Sequence, residues 1–446
     1  MQVMACGWRG GLAAGLLWAG RLVAAEPAAP AAGGNWPEIR DQTFAVVWET
    51  VNESYYDATF GGVDWAAVRE KYRKALPDIA DKEALRGLLF AMLGELRRTH
   101  FSIQPRELAV FTPAERTRMG TVGLDLVYVD DVVAVEAAKP ASAASRAGIH
   151  AGDIILRADQ VDFGRLGDYL KNTGVSPARR GLYLTALAVS RLRGAVGTTV
   201  QLQVRSPDGQ ERPVGLTIEP TEGEWSEPMG DFPSVPVACT VSSGPAGLAY
   251  LRFNVFARQA MKDIRAALRL VPADGGLVID LRGNPGGITV MAPGISGWLS
   301  DRTFLLGTMH MRQGHIGFTV SPQDKAFLGP VALLIDGGSA STSEIMAAGL
   351  QEAGRARVFG ETSPGAALPS LFKALPTGDL LQYAIADLQT PGGVLIEGRG
   401  VVPDEMVLRT VADLAAGRDP VLAAAHRWLE TERHKPSGAP PTAAKP

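Results

Sequence analysis

The sequence predicts an α/β protein built in three successive parts, and three observations predict it. Apolar residues recur at helical spacing up to about residue 100. Short strands punctuated by glycine follow. The second half then alternates unbroken apolar runs of strand length with helical patterns, the mark of βαβ units around a largely parallel sheet. At 446 residues the chain has material for two or three cores. A hydrophobic content of 46% with 20% charged residues describes a globular protein. The net charge of -3 gives no argument for nucleic acid or an anionic membrane as partner, and no basic run supplies one.

Residues 1–25, MQVMACGWRGGLAAGLLWAGRLVAA, carry Arg9, an apolar stretch over 12–20 and small residues up to Ala25. This is the pattern of a secretory signal cleaved after Ala25, and it predicts a secreted or periplasmic location. The apolar stretch is too short to cross a hydrocarbon core, so no membrane span is expected once the signal is gone. Residues 26–34, rich in Ala, Pro and Gly, read as a disordered tether, and 435–446 as a disordered tail. Cys6 leaves with the signal, so Cys239 stands alone, without a disulfide, as a small packed residue. His100, His150, His310, His315, His426 and His434 are scattered, and no metal or cofactor is expected.

Residues 35–110 read as a helical domain. Phe44, Val47, Trp48, Val51 and Tyr55 share one helical face, and so do Leu85, Leu88, Leu89, Met92, Leu93 and Leu96, while Asp64-Trp65 opens a helix after the Gly61-Gly62 turn. His100 falls just past the last apolar stripe, where the chain turns extended; taken alone, such a histidine is a surface residue. From 117 to 220 strands are expected at 121–127, 132–135, 153–157 and 199–205.

In the last unit, 221–434, a strand at 248–253, a helix at 257–270 and a strand at 276–281 make the βαβ alternation. The second strand runs into Asp280-Leu281-Arg282-Gly283-Asn284-Pro285-Gly286-Gly287. That is an ordinary turn, or one whose paired glycines let backbone approach a substrate and expose an N–H. A further buried strand at 331–335 ends in Asp336-Gly337-Gly338, and Ser341-Thr342-Ser343-Glu344 fits S-x-x-E ahead of Ile345, Ala348, Gly349 and Ala353. Two readings are open on spacing alone. One is a capping box with Ser341 as N-cap. The other is a nucleophilic serine on a strand-to-helix turn, where free backbone N–H groups can stabilise an oxyanion.

Ser339-Ala340-Ser341-Thr342-Ser343-Glu344-Ile345, followed by Gln351-Glu352, Gly354-Arg355-Ala356 and Gly360-Glu361, resembles the nucleophile region of the carboxyl-terminal processing (tail-specific) serine peptidases. Asp280 to Gly287 resembles their D-L-R-x-N-P-G-G. The resemblance spans about residues 36–430 and implies a crotonase/Clp-protease-like catalytic domain with an N-terminal α-helical domain and an inserted PDZ β-domain. It places the nucleophile at Ser341 and the oxyanion hole at the backbone N–H groups of Gly286 or Gly287 and of Thr342. Within 117–220, Gly123-Leu124-Asp125-Leu126, Pro140-Ala141-Ser142-Ala143-Ala144 and Ala147-Gly148-Ile149-His150-Ala151-Gly152-Asp153-Ile154-Ile155 resemble a PDZ domain. Gly123, Leu124, Asp125 and Leu126 would then be the loop that receives a peptide carboxylate, with the Asp125 charge opposing it.

One departure from the pattern is decisive. Where the processing peptidases carry a lysine base this chain has Ala366, and the neighbouring Lys373 has no motif around it. Leu93-Gly94-Glu95-Leu96 to Thr99-His100 instead resembles the histidine motif of the tricorn protease core, and Glu397-Gly398-Arg399-Gly400-Val401-Val402-Pro403-Asp404 resembles its glutamate segment. That resemblance implies Ser341 as nucleophile, His100 as general base and then acid, and Glu397 as the orienting carboxylate, through Thr99, with Asp404 shaping the final turn. A histidine base would titrate near its ordinary ~6.5. The implied protein is a secreted or periplasmic serine endopeptidase that cleaves extended or C-terminal polypeptide segments through an acyl-enzyme. Its partners would be polypeptide substrates, without nucleic acid, metal or cofactor. The alternative is a binding scaffold for peptides or apolar ligands, as in the related interphotoreceptor retinoid-binding protein modules.

Overall fold

The computed structural model describes residues 35–244 and 247–433. The expected signal, tether and tail, with Cys6 and His434, lie outside the described residues.

The apolar runs of the second half are continuous because the strands they form are covered on both faces. A six-stranded sheet runs in the order Cys239–Ser243, Leu248–Phe253, Gly276–Asp280, Val331–Ile335, Arg357–Gly360, Glu405–Met406. Only the first strand is antiparallel to its neighbour. Alternation decides which layer each side chain joins. Leu277, Ile279, Val331, Leu333 and Ile335 pack with Ile264 and Leu268 of the helix Met261–Leu270 and with Ile345 and Met346 of Thr342–Glu352. Val278, Ala332 and Leu334 face Val421, Ala424, Ala425 and Leu429 of Pro420–Arg433 on the other side. The first turn of the helix expected at 257–270 is instead 3-10, Arg258–Ala260.

The N-terminal helices Trp36–Ser54, Trp65–Arg73 and Lys82–Gly94 form where the apolar stripes lie, the latter two capped by Asp64 and Asp81. Their core is not self-contained, however. Leu368, Leu375, Leu381 and Ala384 pack into it beside Val47, Val51, Leu85 and Leu89, and Ser102–Gln104 pairs with Leu380–Ala384. The helices therefore share one core with a segment nearly 300 residues on, which a boundary near residue 110 does not express. That return passage brings the chain around His100 to the segment that leaves Ser363.

The region 117–220 leaves and rejoins the chain at one place, since Met119–Thr121 pairs with Glu219–Pro220. Its main sheet holds Leu124–Val129, Val132–Ala138, Ile154–Ala158, Thr199–Arg205 and Glu211–Thr217. The strand expected over 121–127 is broken at Gly123, whose φ of 82° suits glycine and where a Cβ would come within 2.2 Å of the Ser142 Cβ. Two helices, Phe163–Asn172 and Pro177–Arg191, fill the stretch between the strands expected at 153–157 and 199–205, to which the sequence reading assigns no element, and are capped by Asp162 and Ser176. The second packs on Leu124–Val129 through Gly181, which lies against Tyr128. After Glu405–Met406 the chain crosses to this sheet and packs Leu414 of the helix Val411–Ala415 on Val127, Val129 and Ala134 before returning.

Candidate active site

Ser341 is the N-cap of Thr342–Glu352 and has φ 55° and ψ -117°, a conformation L-residues rarely adopt. Its surroundings hold it there. The Ser341 amide donates to the Ala366 carbonyl at 2.8 Å and to Glu344 Oε2 at 3.1 Å. The loop after Gly276–Asp280 presses on it from the other side: a Cβ on Gly286 would lie 2.6 Å from the Ser341 Cβ. Asn284 laces this loop to the serine turn, its carbonyl accepting from the Ala340 amide at 3.0 Å and the Ser343 hydroxyl at 2.9 Å.

The two glycines are not equivalent. The Gly286 amide donates to Asn284 Oδ1 at 2.9 Å, so of the two alternatives that the sequence left open it is Gly287 whose amide is not engaged in this way. Among the described hydrogen bonds neither the Gly287 nor the Thr342 amide has an acceptor. The Thr342 hydroxyl donates to the Gly287 carbonyl at 2.9 Å and so fixes these two residues to one another.

A strap, residues 363–367, lies between two buried carboxylates. Glu344 Oε1 accepts from the Ser363 hydroxyl at 2.5 Å and the Gly365 amide at 2.8 Å, and Oε2 from the Ala366 amide at 2.9 Å. On the far side Glu397 Oε2 accepts from the Ala367 amide at 3.2 Å and the Thr99 hydroxyl at 2.8 Å, and Oε1 from the Thr99 amide at 3.0 Å. Thr99 Oγ1 is also 2.9 Å from His100 Nδ1. A hydroxyl has one proton to donate, and Thr99 gives it to a carboxylate that can only accept. It must therefore accept from His100 Nδ1–H, which leaves Nε2 unprotonated and able to take a proton. Thr99, His100 and Glu397 are thus joined directly. Ser341 joins them through the strap; no hydrogen bond links it to His100 among the described residues.

Burial, assisted by the positive charge of Arg179, pushes the His100 imidazole down to about 4, below the ordinary value expected from sequence. Some of the residue's surface still reaches solvent. Burial pushes the Glu344 carboxyl up to about 7 against the four donors it accepts from.

Arg179 is the functional residue that sequence reasoning missed. It sits in the first turn of Pro177–Arg191 and reaches out of the inserted region to Glu397 Oε1 at 2.9 Å and the carbonyls of Gly365 at 2.8 Å and Pro364 at 3.2 Å. Ser176-Pro177 could have located the helix start; nothing local names a partner 218 residues away. Lys373 is tied to the Thr50 hydroxyl at 2.9 Å, and Asp404 accepts from the Val358 amide at 2.8 Å. Gly123, Leu124, Asp125 and Leu126 lie outside this constellation. The Gly123 amide donates to Thr121 Oγ1 at 3.3 Å, Leu124 is buried, and the exposed Asp125 lies 3.9 Å from Lys139 Nζ. Among the described residues no group of three or more His, Cys, Asp or Glu side chains could hold a metal, and no helix is long and apolar enough to cross a membrane.

Residues 247–407 match the model of peptidase family S41, and residues 37–94 that of the tricorn protease C1 domain. A carboxyl-terminal-processing protease of Picosynechococcus is 29% identical over 370 residues, covering 81% of each chain. Tricorn protease homolog 1 of Streptomyces coelicolor is 28% identical over 418 residues, 89% of this chain and 35% of that longer one. Among solved structures, the photosystem II D1 C-terminal processing protease superposes with a TM-score of 0.57 at 23% identity, covering 82% of this chain and 93% of that one, a likeness of fold.

Proposed function

We propose, for a chain that belongs to peptidase family S41 and is a serine-type peptidase, that it cleaves polypeptides through a Ser341 acyl-enzyme with His100 as the base. The observation that carries this reading is the chain of hydrogen bonds from Glu397 through Thr99 to His100 Nδ1, which leaves Nε2 as the ring nitrogen free to accept a proton. His100 Nε2 takes the Ser341 hydroxyl proton as Oγ bonds to the scissile carbonyl carbon. The amides of Gly287 and Thr342 receive the oxyanion. The C–N bond breaks as His100 returns the proton to the leaving nitrogen, and a water, deprotonated by the same imidazole, cleaves the ester and frees Ser341. Glu397, held by Arg179, keeps Thr99 in the orientation that fixes the tautomer.

The region 117–220 serves in this reading as a PDZ domain for polypeptide C-termini. In its support, Leu124–Val129 is an edge strand with the helix Pro177–Arg191 alongside, the framework on which an extended peptide can add. The N-terminal segment directs the chain to a secreted or periplasmic location, which mass spectrometry of the exported protein tests by asking whether it begins at Glu26. For the chemistry, the pure protein is exposed to a fluorophosphonate probe and the adduct mapped. Ser341 should carry it; an adduct elsewhere, or none, sinks the assignment. For the recognition role, the full chain bearing Ser341→Ala should bind peptides with free carboxyl ends more tightly than amidated ones, and equal binding removes that role.

A further inference from the structure

Asp336, just after Val331–Ile335, makes both halves of the oxyanion site depend on one carboxylate. Its Oδ1 accepts from the Gly283 amide and from the Gly338 amide, each at 2.9 Å, and lies 3.2 Å from the oxygen of the Ser339 hydroxyl, which donates to the Leu281 carbonyl at 2.8 Å. Gly283 begins the loop that ends at Gly287, and Gly338 begins the turn that ends at Thr342. The two turns touch: a Cβ on Gly338 would lie 2.8 Å from the Gly283 Cα. The position of Asp336 therefore sets the spacing of the two segments that present the Gly287 and Thr342 amides.

What holds Asp336 comes from elsewhere in the chain. Arg409, 5% exposed at its side chain, places Nη2 3.4 Å from Asp336 Oδ2 and donates through Nη1 to Glu136 Oε1 at 2.6 Å. Glu136 belongs to Val132–Ala138 of the inserted sheet, and its second oxygen accepts from Arg252 of Leu248–Phe253 at 2.9 Å. Burial opposes charge on Glu136, but the two guanidiniums outweigh it and hold its carboxyl below the ordinary range. One carboxylate of the insert thus spans two arginines of the catalytic unit, and one of these arginines grips the aspartate that spaces the oxyanion amides.

We propose that Arg409 is a positioning residue for the oxyanion site, acting through Asp336 and itself set by Glu136 of the inserted sheet. The proposal rests on Ser341 being the nucleophile. A buried arginine that merely welded two domains would cost stability when removed and leave the chemistry of each folded molecule unchanged. A positioning arginine lowers the chemical step itself, because displacing an oxyanion donor by a fraction of an ångström weakens the transition state far more than the ground state.

The test uses the full chain and a fluorophosphonate probe, with the maximal labelling rate and the half-saturating probe concentration measured separately and normalised to the folded fraction. Arg409→Gln should lower the maximal rate about tenfold or more, the order expected for misplacing an oxyanion donor, while the half-saturating concentration moves less than about twofold. Glu136→Gln should lower the same rate severalfold, Arg409→Lys should recover part of it, and the double variant Glu136→Gln/Arg409→Gln should be no worse than Arg409→Gln alone. Should Arg409→Gln fail to fold, Glu136→Gln and Arg409→Lys decide. A maximal rate per folded molecule that matches the wild type in these variants, or a change confined to the half-saturating concentration, overturns the proposal. A wild-type protein that the probe never labels at Ser341 would overturn the catalytic reading instead, so the two failures are distinguishable.

Discussion

Glu344 and Glu397 flank the same strap, and both are buried, yet they are solvated in opposite ways. Glu344 meets only neutral donors, the amides of Ser341, Gly365 and Ala366 and the hydroxyl of Ser363, and burial pushes it up to about 7. Glu397 meets a full positive charge from Arg179 as well as Thr99 and the Ala367 amide. The difference separates scaffold from chemistry. A carboxyl that only holds a backbone in place can do so half-protonated, because its work is to accept hydrogen bonds. The carboxylate to which the proposed mechanism gives the orienting role has instead a guanidinium at 2.9 Å, the partner that a buried carboxylate requires.

The sharpest way to break that comparison is to remove the group both sides serve. Ser341→Ala should abolish probe labelling and lower turnover by several orders of magnitude, as loss of a triad member does, while thermal unfolding shifts by no more than the ~1–2 kcal/mol of a lost helix cap. Next in size, Glu397→Gln should reduce turnover by roughly 10²-fold or more, since a carboxamide can donate to Thr99 and so permit the wrong tautomer. Turnover unchanged in Glu397→Gln would put the orienting role elsewhere.

The pH profile comes third. With His100 held down to about 4, the acid limb of kcat/KM should fall near pH 4, well below the ordinary imidazole value of ~6.5. Arg179→Gln removes a positive charge that lowers His100, so the acid limb should move upward in that variant; a limb that stays put denies the contact its electrostatic effect. Smaller still is the effect on the scaffold side. A folded-state pKa above the unfolded one means that the native protein holds the extra proton, so the stability Glu344 contributes is full below the unfolded value of ~4.3 and is lost as pH rises through about 7. The stability deficit of Glu344→Gln, measured by denaturant unfolding against wild type, should therefore shrink between pH 5 and pH 8. Last, Lys373→Ala should leave turnover nearly unchanged, because its ammonium is engaged with Thr50.

Much of this was legible in the sequence where local pattern and burial agree. The strands at 248–253 and 331–335 emerged with the expected limits because apolar runs bounded by glycine or aspartate admit few other readings. Ser341, Thr99, His100 and Glu397 could be named from their motifs, and the link from Glu397 through Thr99 was an expectation that the tricorn resemblance implied, since nothing local to Thr99 points to a carboxylate so far along the chain. The helix Pro177–Arg191 was missed because Gly181, Tyr183, Thr185 and Val189 dilute its helical signal, and it is packing against Leu124–Val129 that stabilises it. Arg179 and Arg409 escaped for a different reason. Each is one arginine among many in the sequence, and its meaning lies in a carboxylate that only the tertiary fold brings near.

The pairing of Met119–Thr121 with Glu219–Pro220 also bears on chain entropy. A flexible detour of that length would cost the rest of the fold roughly 4 kcal/mol or more in loop closure. Here the detour folds upon itself and returns its ends side by side, so the remainder of the molecule experiences it as little more than a tight turn. A chain in which a short hairpin replaces residues 122–218 should therefore still assemble the parallel sheet and still present Ser341. It would do so without Arg179 or Glu136, as a folded body whose two carboxyl-bearing seams have each lost their cross-domain tie.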